Sequence, residues 1–423
     1  MKKHIEKIKL KTYDLLRWME QWTGTDMIYL ASGTFWLQIA RGGSMLLSLA
    51  SSIIFANILL PETYGNYRYI LSIFSYLTIF TLAGMDNVIV TAAAQKENKT
   101  ILTAIKEKIK YGYGGLVVGL AIAAYYLFNQ NTQLAGAVLI TSLFIPFFDP
   151  LFSFMSILNG HKDYKLQTKY GLIIRFVATT ALIATVYISK NILVIIAVYF
   201  LSNFIPRMIF YKKVITPIAA DPIGTEEETK NRISFGKHLS LMGVIGQISV
   251  YLDQILVYHF NNAAVLAGYY LSMMPFKQIQ TLVNSVNVLA LPKFSQNSPE
   301  SIKKNLLKKI VKMYAIIIPT IAIYFLLADF VFQKIYPKYM DSVFLSKIFI
   351  LQLLYFPLTL LSTAFTAHGK QKELYIGTTS YAIVRVALIL LLTPKFGIYG
   401  AAAAILITGA SNGLLYLYMF FKK

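Results

Sequence analysis

The sequence predicts an all-α polytopic membrane protein, with about twelve transmembrane helices in two parallel six-helix repeats. Three observations predict it. The 423 residues are 56% hydrophobic and only 14% charged, whereas soluble domains average about a quarter charged. Long apolar stretches recur between short polar breaks, and a run of about 18 or more apolar residues is long enough to span a bilayer. Lysine and arginine then alternate: 29 of the 40 fall at the termini and in every second connection, 4 in the opposite set and 7 within the spans. Cytoplasmic connections carry the basic excess. Both termini are therefore assigned to the cytoplasm, and the number of spans is even. A formal charge of +21 would point to nucleic acid in a soluble protein. Here it is a topological signal, and no nucleic-acid partner is expected.

The elements follow in order. Residues 1–29 open with "MKKHIEKIKLKTYDLLRWMEQW", which lacks the apolar core and small-residue cleavage site of a signal peptide. Ile5, Ile8, Leu15, Trp18, Met19 and Trp22 can cluster on one side of a basic helix. That reads as an amphipathic segment lying on anionic membrane lipids; the alternative is a solvated tail. Six spans near 30–59, 66–92, 111–129, 134–158, 170–189 and 191–211 make an N-terminal lobe over 30–211. Residues 212–237 read as a cytoplasmic linker. Six more spans, near 238–260, 265–290, 313–333, 343–366, 373–392 and 398–421, make a C-terminal lobe over 238–423.

The two lobes echo each other. "NILLPETYGNYRYI" (57–70) aligns with "FNNAAVLAGYYLSM" (260–273), so that Gly65 meets Gly268 and Tyr67 meets Tyr270, each placed in a short outer turn. "NGHKDYKL" (159–166) resembles "AHGKQKEL" (367–374), and Ser202-Asn203 meets Ser411-Asn412. Six spans per unit is even, so both units insert the same way up. Parallel repeats of this kind place substrate between the halves.

The charges inside the spans are the candidate functional residues. Lys277, Gln280, Asn284 and Asn287 recur at spacings of three and four, which is one helical stripe. The preceding span offers Gln247, Tyr251, Gln254 and Tyr258, with Asp253 adjacent. Span 1 offers Thr34, Gln38, Arg41, Ser44, Ser48 and Ser51, and span 2 offers Arg68, Ser72 and Ser75. A charge at the bilayer centre costs about 2.5–3.5 kcal/mol on insertion scales. Amides and hydroxyls beside Lys277 therefore point to a hydrated cavity between the halves. The competing reading is that they join helices. Lys277 can also form a structural ion pair with Asp253. Arg175, Lys347 and Arg207 read as cations reaching out to an interface, and Arg68 reads as either an outer anchor or a cavity residue. Arg385 lies near mid-membrane, Asp86 and Asp149 near the inner side, and His259 near the outer mouth.

Other chemistries find little support. Cysteine is absent, which excludes disulfides and thiolate metal sites. There is no Walker loop, no cluster with metal-ligand spacing and no nucleophile–base arrangement. The longest outer connection, "KIYPKYMDSV", is too short for the acidic outer domain that a membrane glycosyltransferase or polymerase would need. No cofactor is expected.

"FANILLPETYGNYRYILSIFSYLTIFTLAGMDNVIV", "DQILVYHFNNAAVLAGYYLS" and "AHGKQKELYIGTTSYAIVR" resemble, in order, segments of Wzx-type polysaccharide flippases. These belong to the multidrug/oligosaccharidyl-lipid/polysaccharide exporter superfamily. The resemblance covers most of the chain, through loose motifs. It implies two six-helix lobes in a V around a central cavity. It also implies that undecaprenyl-diphosphate-linked oligosaccharide, of the O-antigen or capsule type, is moved to the outer leaflet of the bacterial inner membrane. It maps the diphosphate-contacting role onto Arg41, Arg68 and Lys277 by span and depth; Arg385, Gln38, Gln280 and Asn284, read from the residues themselves, complete the candidate substrate-binding set. Asp253, Asp86 and His259 are the candidates for ion coupling. Partners implied are the lipid-linked oligosaccharide, anionic lipids, a polysaccharide polymerase and chain-length machinery. Two features depart from the family: a longer basic N-terminus, and lysine at 277 where arginine would make the better phosphate fork. The alternative function is a drug/cation antiporter of the same superfamily, which should keep acids deep in its cavity. A more remote alternative is a membrane enzyme of polysaccharide assembly.

Overall fold

The computed structural model describes residues 27–295 and 299–422, and every regular element among them is a helix. The amphipathic segment expected over 1–29 lies almost wholly outside the described residues.

The first half builds six crossings. Helix α1, Met27–Ile58, has 32 residues, about 48 Å at 1.5 Å per residue. Helix α2, Pro61–Leu77, begins with a proline and Glu62. The proline sacrifices no helical hydrogen bond there, and the carboxylate faces the positive end of the helix dipole. A 3-10 turn, Thr78–Thr81, and a left-handed Leu82 (φ 55°) then break the crossing. Helix α3, Met85–Ala94, leaves at 57°. Helices α4, Asn98–Phe128, and α5, Thr132–Phe148, pack closely. A Cβ on Gly115 would stand 2.7 Å from the Leu77 carbonyl oxygen and 2.8 Å from Ile145 Cγ2, so a larger residue would force these helices apart. The α5 crossing is completed by a 3-10 turn, Pro150–Ser153, and by α6, Phe154–Gly160. Helices α7, Tyr164–Ile188, and α8, Ile192–Ala220, start at Asp163 and Asn191. Those side chains accept from the amides of Leu166 at 3.0 Å and Leu193 at 2.8 Å, satisfying backbone donors that have no partner within the helix.

Helix α9, Glu226–Phe260, is capped by Thr225, which accepts from the Glu228 amide at 3.3 Å, and carries three glutamates in its first turn. Most of the 212–237 stretch is therefore helix, because α8 runs to Ala220 and α9 starts at Glu226. Hydropathy registers only the part of a helix in lipid, so polar helical ends read as loops. Helices α10, Ala263–Ser295, and α11, Pro299–Ile335, come next. The following crossing comprises 3-10 turns at Pro337–Ser342 and Leu351–Leu358 with α12, Val343–Ile350, and α13, Thr359–Ala367. Helix α14, Gln371–Phe421, has 51 residues and is broken at Gly397, whose φ of 55° suits a residue without Cβ. At about 77 Å, it is more than twice as long as the hydrocarbon core is thick, and it makes two crossings. Among the described residues nine helices are long and apolar enough to cross a membrane, or ten with the bent α2–α3 pair. With the 33-residue α10 and α14 counted twice, the number is the expected twelve.

In the first half α1 packs on α7 and α2 on α5, and in the second α9 packs on α14 and α10 on α12 and α13. Between the halves α2 lies along α10, while α2, α3 and α4 lie along α9. At the face of the 59–60 and 261–262 connections one apolar core joins both halves, from Phe55 and Tyr64 to Met273, Tyr336 and Phe349. At the opposite face the clusters are separate, one around Met85 and Ile233 and another around Phe294 and Tyr416. Gly65 and Gly268, expected in exposed turns, are instead buried inside α2 and α10. A Cβ on Gly65 would overlap the Ala263 backbone, and one on Gly268 would meet Ser342. The Gly65 contact is what brings α2 and α10 together.

Candidate functional site

Five basic side chains converge on two adjoining cavities. One, of about 430 Å³, lies between α1, α7 and α10 and is lined by Arg41, Ser44, Ser48, Arg175, Met274 and Lys277. The other, of about 210 Å³, lies inside the first half, where Arg68, Arg175, Arg207, Tyr64, Tyr199 and Asn203 face it. Ser48, Arg175 and Tyr270 line both. Five cations thus surround the pair of cavities, and among the described residues no carboxylate lines either one.

Helical register explains which residues of α10 take part. Tyr270, Met274, Lys277, Gln278 and Thr281 share one stripe and line the larger cavity. Tyr270 reaches into the first half, where the Arg68 guanidinium carbon sits 3.4 Å from its ring centroid. Lys277 Nζ lies 5.4 Å from the same ring. The ring's electron-rich face offers both cations partial compensation without neutralising them. Arg207 is held by aromatic rings, its guanidinium carbon 3.9 Å from the Phe148 centroid and 4.3 Å from that of Phe152, and it donates to the Phe148 carbonyl at 2.9 Å. Arg41 Nη1, Arg68 Nε and Arg207 Nε are buried donors with no hydrogen-bond partner. Buried donors left unpaired are costly, so a site with several of them is complementary to an anion rich in acceptor oxygens.

Residues 30–298 match the model of a family described as "Polysaccharide biosynthesis protein". The chain belongs to that family. No curated protein matches it by sequence. Among solved structures it is similar to the lipid II flippase MurJ in an inward closed conformation, with a TM-score of 0.69 at 18% identity, over 90% of this chain and 86% of that one. It is also similar to a multidrug resistance MATE family transporter of the MOP superfamily in an inward-facing conformation, with a TM-score of 0.63 at 12% identity, over 89% and 93%. A MOP superfamily transporter from Pyrococcus furiosus gives 0.61 at 14% identity, over 93% and 94%. The fold of this polysaccharide biosynthesis protein is therefore that of the MOP flippases and transporters, a multi-pass membrane architecture.

Within that fold the other expected residues scatter. Gln38 does not line the cationic cavities, and Gln280 lines a separate cavity in the second half. The side chains of Asn284 and Asn287 lie outside the described ones. Arg385 lines neither cationic cavity and donates to the Tyr381 hydroxyl at 3.1 Å. Asp253 does not pair with Lys277. It is 1% exposed and accepts from the Tyr269 hydroxyl at 2.7 Å, while its Oδ1 has no partner. Tyr269 is one residue, about 100° around the helix, from the Tyr270–Lys277 stripe, so the aspartate meets the wrong face of α10 for an ion pair. Asp86 and Asp149 pair with a lysine rather than an arginine. Lys108 is fully buried between them, at 2.7 and 3.0 Å. His259 is exposed beside Phe260. Part of the polar striping joins helices: Ser72 donates to Gln254 at 3.1 Å and Tyr258 to Asn66 at 2.8 Å, both between halves. Arg175 and Arg207, expected to reach out to an interface, also line these cavities, and Arg175 is exposed. The missing signal for Tyr270 was its position two turns before Lys277, on the same stripe.

Proposed function

We propose that the protein moves undecaprenyl-diphosphate-linked oligosaccharide from the cytoplasmic to the outer leaflet of a bacterial inner membrane, by alternating access between two six-helix lobes. The observation that carries this reading is the ring of five cations around adjoining cavities that no acid lines. A diphosphate has many acceptor oxygens and about two negative charges, and it fits arginine and lysine donors left without partners. The surplus of positive charge also suits acidic sugars. Family membership and the MurJ-like fold favour a lipid-linked cargo over a soluble one. Both termini would face the cytoplasm, and a polymerase and chain-length machinery would receive the cargo on the far side.

In this reading α2 and α10 close the outer face through the Gly65–Ala263 contact. The Arg68–Tyr270 stack sits beneath, where an arriving phosphate competes with the ring for the guanidinium. The second reading, a drug/cation antiporter, is favoured by one observation, the buried Asp253 with an unpartnered oxygen. Export assays decide between them. Lys277→Ala should abolish export at unchanged membrane levels, and Lys277→Arg should retain part of it. Full export by the alanine variant would refute the cationic-cavity reading.

A further inference from the structure

The second half holds a cavity of different chemistry. It measures about 170 Å³ and is lined by Gln280, Gln352, Tyr355, Tyr381, Asn412 and Tyr416 among others, none of which carries a formal charge. It lies against α10, the helix that also lines the larger cationic cavity. Gln280 follows Lys277 by three residues, so the cationic stripe and the neutral cavity occupy neighbouring parts of that helix surface.

Three features describe the ligand that this cavity suits. Gln352 Nε2 is a buried donor without a partner, so the occupant should present an acceptor oxygen. Tyr381 accepts a hydrogen bond from Arg385 at 3.1 Å. Its own hydroxyl hydrogen therefore remains to be donated elsewhere. The amides and phenols alternate with Phe276, Phe356 and Leu358, giving apolar surface beside donors and acceptors. A diphosphate would find no cation among the lining residues, since the nearby Arg385 guanidinium is already engaged with the Tyr381 hydroxyl. An alkyl chain would leave the amide donor unmet. An uncharged sugar ring satisfies both demands, since its hydroxyls and ring oxygen meet the polar groups while its C–H faces lie on the aromatic and aliphatic ones.

We infer that this cavity binds an uncharged sugar of the cargo, making the second half a glycan subsite distinct from the phosphate site. Arg385 then acts as a positioning residue that orients the Tyr381 hydroxyl. The inference rests on the reading of the cargo as a lipid-linked oligosaccharide, and the test separates the two. The full chain in nanodiscs is titrated with undecaprenyl diphosphate and with the same lipid carrying a short uncharged oligosaccharide. Wild type should bind the glycosylated probe about tenfold more tightly, a difference of about 1.4 kcal/mol. Gln352→Leu and Tyr381→Phe should each reduce that ratio to about twofold or less. If Gln352→Leu fails to fold, Tyr381→Phe, which removes a single oxygen atom, decides the matter. A ratio near one in wild type, or an unchanged ratio in the folded variants, overturns the glycan subsite. Failure of wild type to bind either probe overturns the reading of the cargo instead.

Discussion

Lys108 and Lys277 are both lysines buried among helices, yet they call for opposite interpretations. Lys108 sits between Asp86 and Asp149, which also accept from Ser156 and Thr81. It is a structural ion, held where several partners offset its desolvation. Removing one member of such a cluster leaves uncompensated charge and costs about 3–5 kcal/mol. Lys108→Ala should therefore lower the melting temperature markedly, while Lys106→Ala, at an exposed position of the same helix, should leave it nearly unchanged. Equal melting temperatures would show that the triad contributes little. Lys277 has no carboxylate within salt-bridge distance among the described residues, only the Tyr270 ring, so its ammonium group is not committed to an ion pair. The sequence revealed Lys277 because an ammonium group interrupts a long apolar run. It concealed Lys108, which lies in the basic stretch "KEKIK" and reads as one more cytoplasmic lysine. Tyr270 was hidden by abundance, as one of 29 tyrosines, and only the crossing of α2 and α10 singles it out.

At the scale of elements, the twelve crossings were legible because bilayer thickness sets their length. Their polar extensions were not. Helices α4 and α9 continue into polar ends, and there they join the halves through Lys99–Glu226 at 2.8 Å, Arg232–Glu97 at 2.7 Å and Lys237–Glu107 at 2.5 Å. A hydropathy plot has no means of pairing residues more than a hundred positions apart. The same limit applies at the outer face, where glycines that suit a turn in sequence prove to be contacts between helices. Gly65 is the sharper test. Any side chain there must displace the Ala263 backbone, so Gly65→Leu should force α2 from α10 and open the outer face. A cysteine replacing Ser52, buried beside Tyr336, should then react with an impermeant maleimide from outside. It should stay protected when Gly65 is intact. Protection in both would show that the contact does not gate the outer face.

At the scale of the whole molecule, charge bears on direction in two ways. The basic residues predict an orientation, and because the native chain lacks cysteine, single cysteines can report it. Lys190→Cys should be labelled from outside and Lys370→Cys should not; the reverse would invert the topology. Charge also determines how the membrane potential acts. Each elementary charge crossing the full field is worth about 2.3 kcal/mol per 100 mV. In the proposed cycle a bound diphosphate cancels about two of the five cavity charges, so an inside-negative potential resists outward passage of the loaded cavity less than that of the empty one, and it draws the empty cationic cavity back inward. The values are ceilings, since each charge crosses part of the field, and the potential assists the cycle through the return of the empty cavity. The most direct measurement of the central claim is transbilayer movement of a fluorescent undecaprenyl-diphosphate sugar in proteoliposomes, with potential set by K⁺ and valinomycin at equal pH and without Na⁺. The cationic-cavity account predicts outward movement that accelerates with inside-negative potential and disappears in Lys277→Ala. Movement that ignores the potential and Lys277 but rises with a pH or Na⁺ gradient would contradict it, and would make Asp253, Asp86 and His259 the residues to pursue.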